Sequence, residues 1–147
     1  MYISRVKVCN FRLLADIELA LENGTTLIVG RNNSGKTSLS EVIRRFLLEQ
    51  SPKFQIEDFS ITSYDRFCDA LKAKNANKDD DVVRALIPSI ELRIFFRYDS
   101  TKPNLGPLSE FVIDLDPDCN EALAIACYEL QDGGIDALFE GQPVEEL

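Results

Sequence analysis

The sequence predicts an α/β fold: a mixed β-sheet around one helix, with additional antiparallel strands. Three observations predict it. A short apolar run, Thr26–Val29, leads through a glycine-containing loop into a segment with helical periodicity, Ser38 to about Glu49. Two alternating segments precede that unit, and strand-like runs recur in the second half of the chain. Strands on either side of a strand–loop–helix unit build a layered α/β arrangement.

The elements follow in chain order. Tyr2 to Val8 alternates apolar and polar residues, as a half-buried strand does. DIELAL, Asp16–Leu21, alternates again after a break at NFRLLA. Asn23-Gly24 is a turn signal, and Thr26–Val29 reads as a buried strand. Leu39, Val42, Ile43, Phe46 and Leu47 fall on one helical face, which Ser51-Pro52 ends. Tyr64–Lys74 predicts a short helix with Phe67, Ala70 and Leu71 on one side, and the following NANKDDD reads as a solvated loop. Ile87–Asp99 is a strong strand with Pro88 at its start; a loop, TKPNLGP, separates it from another at Leu108–Leu115. Ala122–Leu130 fits helix or strand, and Asp132-Gly133-Gly134 before IDALF favours a β-hairpin. The organisation expected is one unit over 1–147: strands, loop and first helix in 1–50, a helical and loop insertion in 51–86, and a β-rich segment in 87–147.

At 147 residues, 45% apolar and 9% aromatic, the chain suits one packed core. Its longest apolar runs, such as Leu123–Cys127, are far too short to span a bilayer, so no membrane contact is expected. No secretory signal is visible at MYISRVKV, and a cytoplasmic location is expected. Cys9, Cys68, Cys119 and Cys127 lack metal-type spacing, and no histidine could complete a zinc site; they read as reduced, partly buried apolar residues. The net charge of −9 is unevenly spread. Residues 1–53 carry 8 Lys and Arg against 5 Asp and Glu, and residues 54–147 carry 8 against 20. A polyanion meets favourable charge in the first segment, whereas the acidic remainder argues against this chain coating DNA by itself.

The basic segment contains the chemistry. GRNNSGKT fits G-x-x-x-x-G-K-[ST] at each fixed position, Gly30, Gly35, Lys36 and Thr37. Glycine is needed where the backbone turns sharply and approaches phosphate without a Cβ in the way. Successive amides then form an anion nest backed by the positive end of the following helix. Lys36 would reach the β- and γ-phosphates, and the Thr37 hydroxyl would take one Mg²⁺ position. The fold class narrows to a P-loop NTPase, with Gly30, Arg31, Asn32, Asn33, Ser34, Gly35, Lys36, Thr37 and Ser38 as the binding residues.

Three weaker motifs each depart from their pattern. NKDD, Asn77–Asp80, matches the guanine-reading N-K-x-D pattern, but it follows polar LKAKNA instead of a buried strand, and no D-x-x-G lies between the phosphate loop and it. FVIDLD, Phe111–Asp116, has the form of a Walker B strand but lacks the terminal Asp-Glu pair of hydrolytic versions. DLDPDCNE is not a calcium loop, because Cys119 occupies the glycine position and Ile125 the position of the bidentate glutamate.

ISRVKVCNFRLLADIELAL followed by GTTLIVGRNNSGKTSLSEVIRRFL resembles the ATPase heads of the ABC superfamily, which includes RecF, Rad50, SMC and the OLD (overcoming lysogenization defect) nucleases. The spelling NNSGKTSL is most similar to OLD-like and related AAA-type ATPases of phage defence and DNA repair. The likeness is close over residues 2–50 and general beyond, through the strands and EDFS, Glu57–Ser60. The resemblance implies ATP and Mg²⁺ as ligands and places Asn10, Phe11 and Arg12 beside the nucleotide. Read from the residues alone, Phe11 is equally a core residue and Arg12 a surface charge.

A complete head of this kind has an L-S-x-G signature, a Walker B acidic pair and a switch histidine, none of which appears, and no catalytic residue is assigned. The chain therefore resembles the first lobe of a split or truncated head. A C-terminal ATPase lobe or second subunit is the expected partner, homodimerisation is open, and DNA is expected only in a complete assembly. Two other functions fit the phosphate loop. One is a non-catalytic interaction domain stabilised by nucleotide. The other is a small kinase, for which Arg93 and Arg97 are the only close arginine pair after the helix.

Overall fold

Four strands pair antiparallel in the order β2-β1-β3-β4: β1 (Tyr2–Phe11), β2 (Leu14–Ala20), β3 (Ile90–Arg97) and β4 (Glu121–Tyr128). The computed structural model describes residues 1–99, 101 and 120–140. The predicted Leu108–Leu115 strand, the FVIDLD segment and Cys119 lie outside them. Alternation in β1 sends Val6 and Val8 to one face of the sheet and Arg5 and Lys7 to the other. The register sets Val8 opposite Leu92, and Leu92 opposite Ala126, so that face is apolar across three strands.

Helix α1 (Lys36–Leu48) covers this face with Leu39, Val42, Ile43 and Phe46. Phe11, Leu14, Phe54, Ile90, Leu92 and Ile94 complete the core. Full burial of each such side chain stabilises by about 1.5–3 kcal/mol. On the outer face the strands are laced by charge: Arg5 to Glu18 at 3.0 Å and to Glu121 at 2.6 Å, and Lys7 to Asp16 at 2.8 Å. Arg93 pairs with Glu91 on that outer face, away from α1.

Helices α2 (Tyr64–Asn75), α3 (Asp80–Leu86) and α4 (Ile135–Leu138) form a second small core from Ala70, Ala73, Val83 and Ile135. The predicted helix at Tyr64–Lys74 is therefore present as α2.

Several expectations are corrected. The sheet of the described residues is wholly antiparallel, not mixed. A parallel pair needs a strand joined through a crossover helix, and the run before the loop does not enter the sheet. Thr26–Val29 is neither strand nor buried: Leu27 is 81% and Val29 78% exposed. An apolar run becomes a buried strand only where a neighbour satisfies its amides and covers its side chains. Leu47, expected on the apolar face of α1, is exposed as well.

NANKDDD is a loop only in part, because Asp80 and Asp81 open α3, where carboxylates favour the positive helix end. Ala122–Leu130 does contain a strand, β4, but IDALF does not return as its hairpin partner. Gly133, at φ +75°, turns the chain into α4, which buries Ile135 against α2 and α3. Ile135, Leu138 and Phe139 follow the i, i+3, i+4 spacing of a helix, in a run too short to read as one.

Candidate functional site

The loop Gly30–Gly35 connects the exposed Thr26–Val29 segment to α1. Its path depends on two left-handed residues, Asn33 at φ +64° and Gly35 at φ +86°. A Cβ on Gly35 would lie 2.8 Å from Leu14 Cδ2, and one on Gly30 would lie 2.7 Å from Ser34 Oγ. Glycine is thus required at Gly35 by both backbone angle and space. The Lys36 ammonium turns back into the loop and donates to the carbonyls of Gly30 at 2.7 Å and Arg31 at 2.6 Å, and to Ser34 Oγ at 3.2 Å.

The first bond of α1 runs from Leu39 N–H to Gly35 C=O at 2.9 Å. The amides before it have no acceptor within the helix, as at any helix start. No acidic residue occupies that first turn. Arg31, Asn32, Asn33, Ser34 and Thr37 are exposed, and Ser38 is buried. Gly30, Ser34, Gly35 and Lys36 line a hollow of about 220 Å³ with Leu14 and Leu39. An ammonium group, free amides and glycines that admit close approach fit an anionic phosphate chain.

Asn10 and Arg12 flank the end of β1, and both are left-handed, at φ +61° and +47°. Neither lines that hollow. Asn10 donates to Ser89 C=O at 2.8 Å and accepts from Ser63 Oγ at 3.1 Å. Arg12 gives Nε, at 2.9 Å, and Nη2, at 2.7 Å, to Asp58 Oδ1. Phe11 between them is fully buried and meets Phe54 edge-on.

Asp58 and Arg45 are the residues that sequence reasoning missed. Asp58 Oδ2 also accepts from Arg45 Nη1 at 2.7 Å and from the Gln55 amide at 3.1 Å. Arg45 further holds Glu41 at 2.9 Å and lies over the ring of Phe54. Burial pushes the Asp58 carboxyl up, but the Gln55 amide and the Arg45 and Arg12 guanidiniums outweigh it and hold the group below the usual carboxylate range. The i, i+4 spacing of Glu41 and Arg45 was a readable signal. Nothing in EDFS marks its aspartate as an internal ion-pair centre.

A larger groove of about 730 Å³ lies elsewhere, between Phe54, Phe59, Phe67, Tyr128 and α4. Among the described residues no cationic side chain lines it, whereas Lys36 lines the hollow at the loop. Among the described residues there is no cluster of three or more His, Cys, Asp or Glu able to hold a metal ion. Cys9, Cys68 and Cys127 are free thiols, and burial raises those of Cys9 and Cys127 above their ordinary range. Among the described residues no helix is long and apolar enough to cross a membrane.

Residues 1–127 match the family model described as "AAA ATPase domain". The chain belongs to this AAA ATPase domain family. The DNA replication and repair protein RecF of Arthrobacter sp. (strain FB24) is 44% identical over 43 residues, 29% of this chain and 11% of that protein. The RecF proteins of Actinobacillus succinogenes and Pasteurella multocida are 51% and 49% identical over 43 residues, in each case 29% of this chain and 12% of theirs. These matches span only about a ninth of the relatives' length or little more. Over those 43 residues the chain is similar to RecF proteins, within the AAA ATPase domain family shown by the longer match.

Proposed function

We propose that this AAA ATPase domain holds ATP with Mg²⁺ on the loop Gly30–Ser38, and that it works as the nucleotide-binding lobe of a DNA-repair or phage-defence type ATPase. The observation that carries the reading is the geometry at Gly35 and Lys36: a left-handed glycine closed off by Leu14, followed by an ammonium group held inside the loop. The first amides of α1 and Lys36 would receive the phosphate oxygens, and Arg31 would add positive charge at the rim. Bound Mg²⁺, with the Thr37 hydroxyl among its ligands, would neutralise charge on the phosphates. The chain's own residues bind and orient; no described carboxylate stands at the loop to activate water.

On this reading, hydrolysis draws its acidic and signature residues from another lobe or subunit. The exposed run Leu27–Val29, which leads into the loop, supports this reading, because it offers apolar area for such a partner to cover. DNA would be met only in that larger assembly, a role suggested by the RecF relatives. OLD-like ATPases of phage defence are the narrower version of the proposal, resting on the spelling NNSGKTSL. Arg93 is taken up by Glu91 on the face opposite α1, which disfavours a kinase lid built from Arg93 and Arg97.

Calorimetric titration with Mg-ATP tests the reading. Saturable binding is expected, abolished or weakened at least about a hundredfold by Lys36→Ala, with multiple-turnover phosphate release at or near background. Absence of binding by folded wild-type protein would sink the proposal. Robust turnover lost in Lys36→Ala would overturn the need for outside residues.

A further inference from the structure

We infer that Asp58 is a positioning residue for the phosphate loop, acting through Arg12 and the β1–β2 turn that abuts Gly35. This inference rests on the ATP-binding reading above and adds a residue to it. The connection is continuous. Asp58 Oδ1 holds the Arg12 guanidinium through two nitrogens, and the Asp58 carbonyl accepts the Arg12 amide at 2.8 Å. Arg12 and Leu13 form the two-residue turn between β1 and β2, and the next residue, Leu14, leans on Gly35. Leu13 also borders that glycine, 3.8 Å from where its Cβ would stand.

The turn does not hold its own shape. Asn10 and Arg12 carry side chains in the left-handed region, a conformation that persists only where the surroundings determine it. The segment from Asp58 to Ser60 supplies those surroundings. Ser60 N–H donates to Asn10 C=O at 3.0 Å, and Phe11 and Phe59 form an antiparallel bridge.

The same carboxylate reaches the loop by a second path. Its other oxygen holds Arg45, near the C-terminal end of the helix whose first residue is Lys36. A helix is stiff along its axis, so fixing its far end limits how its first turn can tilt. One buried charge thus ties down both walls of the loop, the turn beside Gly35 and the helix after it. The Asp58 side chain is only 9% exposed, so water is a poor substitute for these partners.

The test compares Mg-ATP affinity by calorimetry, well below each melting temperature, for wild type, Asp58→Asn, Arg12→Lys and the double variant. Asp58→Asn removes the charge with little change of shape. Arg12→Lys keeps a cation for any direct contact with phosphate but cannot make the two-nitrogen grip on Asp58. Each single change is expected to weaken binding about tenfold, and the double variant to be no weaker than the weaker single. A purely structural clasp would lower the melting temperature and leave affinity unchanged, which would overturn the inference. Wild-type affinity in Asp58→Asn, or stronger, does the same. Should Asp58→Asn fail to fold, Arg12→Lys decides alone, since the Arg12 side chain is 37% exposed and Lys keeps its charge; wild-type affinity there overturns the inference. Absence of binding by wild type overturns the ATP reading and this inference with it, whereas binding by wild type and variants alike overturns the inference only.

Discussion

The phosphate loop and the Arg12–Asp58–Arg45 clasp lie on either side of the β1–β2 turn, and they are built on opposite principles. Residues 22–34 are exposed throughout, and the loop is drawn together by a single ammonium group. The clasp centres on a buried group: the Asp58 carboxylate accepts four hydrogen bonds, and the guanidiniums around it lie over the rings of Phe11 and Phe54. A site that must receive a ligand keeps its donors accessible, and its rigidity has to come from next door. The difference teaches that the stability of this region and its chemistry are carried by separate residues.

The sharpest way to break that division is Phe11→Ala. Phe11 is fully buried where the sheet, α1 and Phe54 meet, so its removal is expected to cost about 3–5 kcal/mol. Denaturant unfolding measures it, with the midpoint falling and the slope kept.

Acid tests the charged part of the clasp. The native Asp58 value is depressed, so its contribution is full above the unfolded carboxylate value of about 3.9 and is lost as pH falls through the native value. Wild type should lose melting temperature more steeply below about pH 4 than Asp58→Asn, which starts lower by about 1–3 kcal/mol. Equal slopes in thermal scans would show that other carboxylates dominate.

The smallest effect belongs to the loop side. Leu27→Ser is expected to change stability by less than about 0.5 kcal/mol, despite deleting a large apolar side chain, because that side chain is 81% exposed. A loss above about 2 kcal/mol in the same unfolding assay would show that Leu27 is covered in solution.

What the sequence revealed follows from how local each signal is. The alternation of Tyr2–Val8 and the apolar stripe of α1 are written within one element, and β1, β3 and α1 are where those patterns put them. The need for glycine at Gly35 was legible because the motif sets glycine and lysine at fixed spacing, and the backbone there is left-handed. Burial of Thr26–Val29 was not legible, since it depends on a neighbour that no apolar run announces. Four residues of α4 hold too little periodicity to outweigh the Gly133-Gly134 turn. Asp58 was hidden for a related reason: its partners stand 46 and 13 positions away, on elements that meet only after folding.

The back-turned Lys36 side chain has a consequence for energetics. Because its ammonium protons already rest on the oxygens of Gly30, Arg31 and Ser34, the polyphosphate proposed to bind there would swap partners with them and would not fill an idle donor. Heat released on association will register only the surplus of the new contacts over those given up. The two carbonyls released in that way would then turn to solvent or to another proton donor, so capture of the anion would reshape the very ring proposed to receive it.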